Sequence, residues 1–242
     1  MYIPRIYFDK TIKLNTIIEL KKNNAHYCLN VIRLKIKNTI HIFNNTNYIF
    51  ISEIINIKKN KIFAKVIEKK KDNRESPINI HLGQIFSKKM NITIEKSVEL
   101  GVKTITPIIP KQKNYNKKIK NIISKKNYHW NKIIISACSQ SKRNIIPILK
   151  KPHSICEWCN LIPHTSTKII FSLNSVDKIN NIPYKYKDIY ILIGSEKGFS
   201  EKEKKYAKKK DFLNISLGPR VLRTETASIV AITALQIYFG DI

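Results

Sequence analysis

Acidic residues, arginine and glycine are all scarce in this 242-residue chain, and each shortage narrows its reading. Only 17 Asp and Glu stand against 45 Lys and Arg, which leaves a formal net charge of +28 at pH 7. So large an excess asks for an anionic partner. The four cysteines, Cys28, Cys138, Cys156 and Cys159, are too few and too unevenly spread for a disulfide framework. A reducing compartment fits. No stretch approaches the roughly 18 to 20 apolar residues that a bilayer-spanning helix needs; the closest, Ala227 to Phe239, contains Ser228, Thr233 and Gln236. The opening residues place Pro4, Arg5 and Asp9 where a secretory segment would need an unbroken apolar run. These absences predict a cytoplasmic protein with no membrane association.

What is present is the composition of a folded protein: 43% of residues are hydrophobic, enough apolar surface to offset the entropy of ordering the chain. The length lies near the roughly 250 residues beyond which single cores stop growing, and two domains are expected. Among the basic residues only Arg5, Arg33, Arg74, Arg143, Arg220 and Arg223 are arginine. In a chain so dominated by Lys, Ile and Asn, arginine should persist where a planar, bidentate fork cannot be replaced by a point charge. The six glycines, Gly83, Gly101, Gly194, Gly198, Gly218 and Gly240, should mark places where a side chain is excluded or φ is positive.

From Ile3 to Glu68 short β-rich segments alternate with polar turns: Ile40 to Phe43, Tyr48 to Ile57 and Ile62 to Ile67, separated by Asn44 to Asn47 and Lys58 to Lys61. This reads as a small antiparallel barrel. The charged run Lys69 to Pro77 lacks apolar periodicity and ends in proline. It divides the chain near residue 73, into domains 1–72 and 73–242. Beyond it, apolar strands (Ile78 to Phe86, Thr104 to Ile109, Lys168 to Leu173, Asp188 to Gly194, Phe212 to Leu217) alternate with helical segments (Lys89 to Leu100, Lys125 to Ser141, Ser200 to Lys210, Thr224 to Phe239). The spacing of Ser200 and Glu203 is that of a capping box. Alternation of this kind predicts a mostly parallel sheet covered on both faces, with ligands at the carboxyl ends of its strands.

Two strand-to-loop transitions put glycine where an apolar strand ends. The first is Ile191-Leu192-Ile193-Gly194-Ser195-Glu196-Lys197-Gly198-Phe199-Ser200, and the second runs from Ile215-Ser216-Leu217-Gly218-Pro219-Arg220 to Val221-Leu222-Arg223-Thr224-Glu225-Thr226-Ala227. Such loops let backbone groups approach a flat ligand with no Cβ in the way. Neither matches a P-loop or a dinucleotide fingerprint, and each alone could equally be a turn.

The second segment resembles the C-terminal signature of the bacterial 16S rRNA uracil N3-methyltransferases of the E type, in the SPOUT superfamily, and the first resembles their Gly-Pro-Glu-Gly-Gly-Phe loop. Further matches are Pro4 to Tyr7, Val31 to Arg33, Arg74 to Pro77, Ile94 to Gly101 and Ala137 to Arg143. The resemblance covers nearly the whole chain and takes in all six arginines. It implies a PUA-like RNA-binding β-barrel followed by a SPOUT-type parallel-sheet domain whose C-terminal segment forms a trefoil knot. It also implies a homodimer that holds S-adenosylmethionine in the knot and methylates one uridine of 16S rRNA in the small ribosomal subunit. The cofactor residues implied are Leu173, Leu192, Ile193, Gly194, Ser195 and Gly198, then Ser216, Leu217, Gly218, Val221 and Leu222. Three positions depart from the family pattern: Ser195 stands for a proline, Lys197 for a glycine, and Ser139 for a commonly acidic residue. A positive φ at Lys197 would cost about 1 kcal/mol and loosen the loop.

Uracil N3 carries an imide proton and becomes a nucleophile once that proton leaves, with charge spread onto both flanking carbonyls. A guanidinium suits that anion, and methyl transfer from a sulfonium needs in-line placement and electrostatics and no metal. Arg223 is the expected partner of the anion, with Glu225 or Glu196 as orienting or proton-accepting group. For Glu225 the competing role is that of a first-turn carboxylate stabilising its helix. RNA contacts are expected from Arg5, Arg33, Lys88, Lys89, Arg143 and Arg220, with packing at the dimer interface an equal possibility for Arg143. His153, Cys156, Cys159 and His164 have spacings open to zinc, but there is no second C-x-x-C, and Trp158 marks an amphipathic packing segment. Two other activities stay open at this point. One is ribose 2′-O methylation; the other is a catalytically silent RNA-binding or ribosome-assembly protein with the same fold.

Overall fold

The computed structural model describes residues 3–110, 116–173, 175 and 177–242. The chain forms two compact units, one of residues 1–75 with 138–146, the other of residues 76–137 with 147–242. The segment 138–146, which the sequence reading kept with the second domain, thus joins the first.

In the first unit, strands β1 (Arg5–Tyr7), β2 (Ile17–Leu20), β3 (Thr39–Phe43), β4 (Tyr48–Lys58) and β5 (Lys61–Lys71) form one sheet in the order β1-β3-β4-β5-β2. Alternate residues point inward. Ile18 with Leu20, Ile40 with Ile42, and Ile62 with Ala64 and Val66 are all buried in one apolar cluster. The β4–β5 hairpin turns through Lys59 and Asn60, at φ 43° and 60°, the twist that suits a two-residue connection. The sheet is not purely antiparallel as expected: β1 runs parallel to β3, with Arg5 opposite His41. A long connection that includes β2 and helix α1 (Lys22–His26) joins them, and only such a connection permits parallel pairing. Among the described residues the ladder ends at β1 and β2.

Two arginines expected at the RNA surface belong instead to this unit's interior. Arg5 is 8% exposed, lies 5.1 Å from the centre of the Phe43 ring, and donates from Nη2 to the Lys142 carbonyl (3.0 Å) and to Asn144 Oδ1 (2.6 Å). Arg143 is 3% exposed and grips Glu75 with two bonds, Nε to Oε1 at 3.0 Å and Nη2 to Oε2 at 2.5 Å. Asn144 Nδ2 donates to the Asp72 carbonyl at 2.5 Å. The planar fork was therefore required, as its scarcity suggested, but for a buried bidentate pair.

The second unit contains a sheet of seven strands: β6 (Asn79–Ile85), β7 (Thr104–Ile109), β8 (Ile148–Leu149), β9 (His153–Ser154), β10 (Thr167–Phe171), β11 (Asp188–Ile193) and β12 (Leu213–Ile215). Every pairing is parallel, in the order β12-β10-β11-β6-β7-β8, with β9 also on β7. The helices are α2 (Met90–Glu99), α3 (Asn116–Ser141), α4 (Ile155–Leu161), α5 (Glu201–Lys208) and α6 (Thr224–Phe239). Of these α2 packs on α6, and α4 on α5. Strand parity separates the two faces. Ile85, Ile108, Ile170 and Leu192 share a cluster with Trp158 of α4, Ala207 of α5 and Phe199. The alternate residue Gln84 turns the other way, to Ser228 of α6.

The face beneath α4 carries an unusual polar group. His81 Nε2 lies 3.0 Å from Asp188 Oδ1, its Nδ1 lies 2.9 Å from Thr104 Oγ1, and its ring stacks on Tyr190 at 4.2 Å. A carboxylate only accepts, so Nε2 donates to Asp188, and in the neutral ring Nδ1 accepts from the Thr104 hydroxyl. The motif open to zinc is dispersed: Cys159 is buried in the apolar cluster, Cys156 is exposed. Among the described residues no three His, Cys, Asp or Glu come together as a metal site. No helix among them is long and apolar enough to cross a membrane.

Candidate functional site

The carboxyl ends of β10, β11 and β12 converge on one cavity of about 200 Å³. Its first wall is the turn after β11. Gly198 N donates to the Ser195 carbonyl at 2.8 Å and Gly198 adopts φ 68°. Lys197, by contrast, is outside the left-handed region, so the strain anticipated there is not incurred; the glycine that needs positive φ is still a glycine. Phe199 then turns back into the core and Ser200 starts α5 with the expected capping box, Glu203 N donating to Ser200 Oγ at 3.3 Å and Ser200 N to Glu203 Oε2 at 2.8 Å.

The second wall is the turn after β12. Ser216 N donates to the Asp177 carbonyl (2.9 Å), and Gly218 N donates to Ser216 Oγ (3.1 Å), which folds the strand end over. Gly218 has φ 102°. A Cβ built on Gly198 or on Gly218 would meet no atom within 4 Å. Both turns therefore present bare main chain to open space, which is the use foreseen for these glycines.

The third wall is the start of α6. Arg223 is its N-cap residue but offers no side-chain cap, while Thr224 and Ala227 face the cavity. This first turn is tied down from below: Ser228 Oγ sits in a buried contact with Gln84 Oε1 and 3.0 Å from the Thr224 carbonyl. Farther along, Gln236 Nε2 donates to the Leu100 carbonyl (2.8 Å) and Gln236 Oε1 accepts from Ser76 Oγ (2.7 Å).

Most of the anticipated cofactor residues meet here: Leu173, Ile193, Gly194, Ser195, Gly198, Leu217, Gly218, Val221 and Leu222 border the cavity, as do Glu196 and Arg220. Two do not. Leu192 is fully buried beneath it, because β11 alternates and its side chain faces α4; Ser216 borders an adjoining cavity that shares Leu173 and Gly218. Arg223 and Glu225 stand outside the lining. Arg223 is exposed, and Glu225 Oε2 is buried with no hydrogen-bond partner among the described residues. Sequence reasoning did not single out Phe171, Ser172, Phe199, Lys204, Thr224 or Ala227 as lining residues. Phe171 and Ser172 could have been found from their place at a strand end, whereas Lys204 needed the direction of α5. Arg33, Lys88 and Lys89 are exposed.

Residues 74–236 match the RNA methyltransferase domain family, and residues 20–67 match the PUA domain of RNA methyltransferases. The ribosomal RNA small subunit methyltransferase E of Buchnera aphidicola subsp. Schizaphis graminum is 48% identical over 242 residues, covering 99% of this chain and 98% of that one. A crystal structure of a ribosomal RNA small subunit methyltransferase E from Neisseria gonorrhoeae bound to S-adenosyl methionine superposes with a TM-score of 0.92 at 31% identity, with 100% of both chains covered. A Legionella pneumophila methyltransferase structure in complex with the cofactor SAM gives 0.91 at 34% identity, again over 100% of both chains. With both units matched and the glycine turns folded around one cavity, the chain belongs to the RNA methyltransferase family.

Proposed function

We propose that this protein methylates N3 of one uridine in the 16S rRNA of the small ribosomal subunit, using S-adenosylmethionine, in the cytoplasm. The observation that carries the reading is the cavity at the ends of β10, β11 and β12, walled by main chain at Gly198 and Gly218. The names of the relatives support the substrate and the cofactor. When bound, S-adenosylmethionine supplies an electrophilic methyl group on a sulfonium. Leu173, Leu217, Val221 and Leu222 would give it apolar contacts, and the bare turns would supply backbone hydrogen bonds. We also propose that the turns belong to a C-terminal trefoil knot, consistent with their convergence from three strands.

The uridine enters from the solvent side of the cofactor, so groups that meet it need not line the cofactor's cavity. Exposed Arg223 stabilises the imide anion, while Arg220 at the cavity rim, Arg33, Lys88 and Lys89 hold phosphates. Glu225 accepts the N3 proton; its unpartnered Oε2 supports that role over a purely helix-stabilising one. Glu196, at the cavity rim, orients the base. The working unit is a homodimer, supported by Val230, Ile237 and Tyr238, which leave an apolar face of α6 exposed.

Calorimetric titration with S-adenosylmethionine, followed by nucleoside analysis of 16S rRNA from cells lacking the protein, tests the reading. Heat of binding and loss of 3-methyluridine are expected. No heat would identify a silent RNA-binding protein, and loss of a ribose methyl group would identify 2′-O chemistry. Arg223→Ala should lower kcat about 10²- to 10³-fold with cofactor affinity retained; normal turnover would remove Arg223 from the role.

A further inference from the structure

Between Glu99 and Glu157 the sequence contains no carboxylate, yet it holds twelve lysines and one arginine. Helix α3 lies in this stretch. One side of it is apolar and buried, through Ile119, Ile123, Trp130 and Ile134. Residues 124–129 are all exposed, and Lys132 extends the same side one turn on. In the middle of that lysine-rich side stands Tyr128, 69% exposed, with Lys132 Nζ 4.5 Å from its ring centre. The contact with Lys132 is a cation–π pair, and the ring still leaves a broad aromatic surface open to solvent.

The turn that carries Tyr128 is held rigidly. Asn91, in the first turn of α2, accepts from Trp130 Nε1 at 2.9 Å through its Oδ1 and donates from Nδ2 to His129 Nε2 at 3.2 Å. Trp130 is fully buried and leans on Phe86. Both ends of the Asn91 amide are used to fix this turn of α3 beside the start of α2. That start follows the carboxyl end of β6, next to exposed Lys88 and Lys89. It is the same edge of the sheet onto which the cavity opens, because β6 pairs with β11.

We propose that Tyr128, flanked by Lys125 and Lys132, is a stacking platform for an unpaired base of the substrate RNA outside the target nucleotide. The proposal rests on the reading of the chain as an RNA methyltransferase and adds where the RNA extends beyond the active site. The pattern is that of single-strand recognition: an aromatic face for the base, ammonium groups for the phosphates on either side, and no carboxylate on the helix itself. The Asn91 clamp holds the helical turn that carries Tyr128 before RNA arrives, which limits the backbone entropy lost on binding.

Fluorescence anisotropy with a twelve-residue oligouridylate and with deproteinised 16S rRNA tests it. Tyr128→Ala should weaken oligouridylate binding about five- to hundredfold, and Tyr128→Phe should retain it. Lys125→Gln with Lys132→Gln should flatten the dependence of log K on log salt by about 1.4, the value for two single-strand phosphates. Titration with S-adenosylmethionine should be the same in all variants, which shows that they are folded. Equal oligouridylate affinity of Tyr128→Ala and wild type would overturn the proposal, as would a defect seen only with assembled small subunits, which would point to a protein contact. Absence of methyl transfer by the wild type would instead defeat the reading of the enzyme.

Discussion

Gly83 and Trp158 meet ring to backbone: a Cβ on Gly83 would lie 2.7 Å from the indole carbons Cη2 and Cζ2. The central strand β6 is thus shaved flat so that α4 can lay a large ring across it. Gly83→Ala should cost about 1–3 kcal/mol as an overpacking change, read as a lower urea midpoint with an unchanged slope. Combining it with Trp158→Phe, which shortens the ring, should recover part of the loss. An additive loss would show that the clash is not with this ring.

The reassignment of Arg143 can be checked by separating stability from RNA affinity. Removing one partner of a largely buried pair costs about 3–5 kcal/mol. Arg143→Ala should therefore lower the melting temperature, while the folded variant keeps RNA affinity close to wild type. A loss of RNA affinity much larger than one charge explains, without a loss of stability, would return Arg143 to the binding surface.

Stability should fall on mild acidification because of His81. Burial pushes its pKa below the ordinary 6.5, and the pull of Asp188 does not offset this. With the folded value below the unfolded one, the unfolded chain takes up the proton first. The contribution is complete above pH about 6.5 and is lost as pH falls through the folded value. Partial burial pushes the half-exposed Asp188 carboxyl up, yet hydrogen bonds from His81 and Asn79 hold it below the ordinary 3.8, so its own contribution is lost only at lower pH. Urea midpoints at pH about 8 and about 5 should differ for the wild type. His81→Asn should be less stable at the higher pH and show a smaller difference between the two; an unchanged difference would acquit the ring.

Gly198→Ala tests the cradle. The new methyl meets open space, but holding the turn at φ 68° now strains an L residue by about 1 kcal/mol or somewhat more, which the free turn relieves by shifting and cofactor binding has to restore. Calorimetry should show S-adenosylmethionine binding weakened at least about fivefold, with a thermal midpoint near wild type for the free protein. Unaltered affinity would mean that this turn does not hold the cofactor.

Much of the fold was legible because its signals are local. Thr104–Ile109 and Thr224–Phe239 form as read, since each is a continuous apolar segment with a clear start or stop. Helix α4 was read only as a packing segment around Trp158, although Ser154 and Glu157 form a capping box at its start; it is short enough that its apolar period hardly repeats. The start of α3, residues 116–124 ahead of the expected Lys125, gives little signal because lysines dilute its apolar stripe of Ile119 and Ile123. The parallel pairing of β1 with β3 and the burial of Arg5 and Arg143 depend on partners far away in the chain, Asn144 and Glu75 among them. No local pattern records such partners. The same distinction holds at the site: glycines at strand ends announced the cavity, but which side chains turn into it depended on strand parity and on where α6 begins.

The walls of that cavity come from the segments after three strands and from Thr224 and Ala227 at the start of α6, and that helix is latched by Gln236 to Leu100 and Ser76. A nascent polypeptide consequently lacks this enclosure until helix α6 has emerged and swung back onto strands made much earlier, so the cavity cannot be whole before its last wall is synthesised.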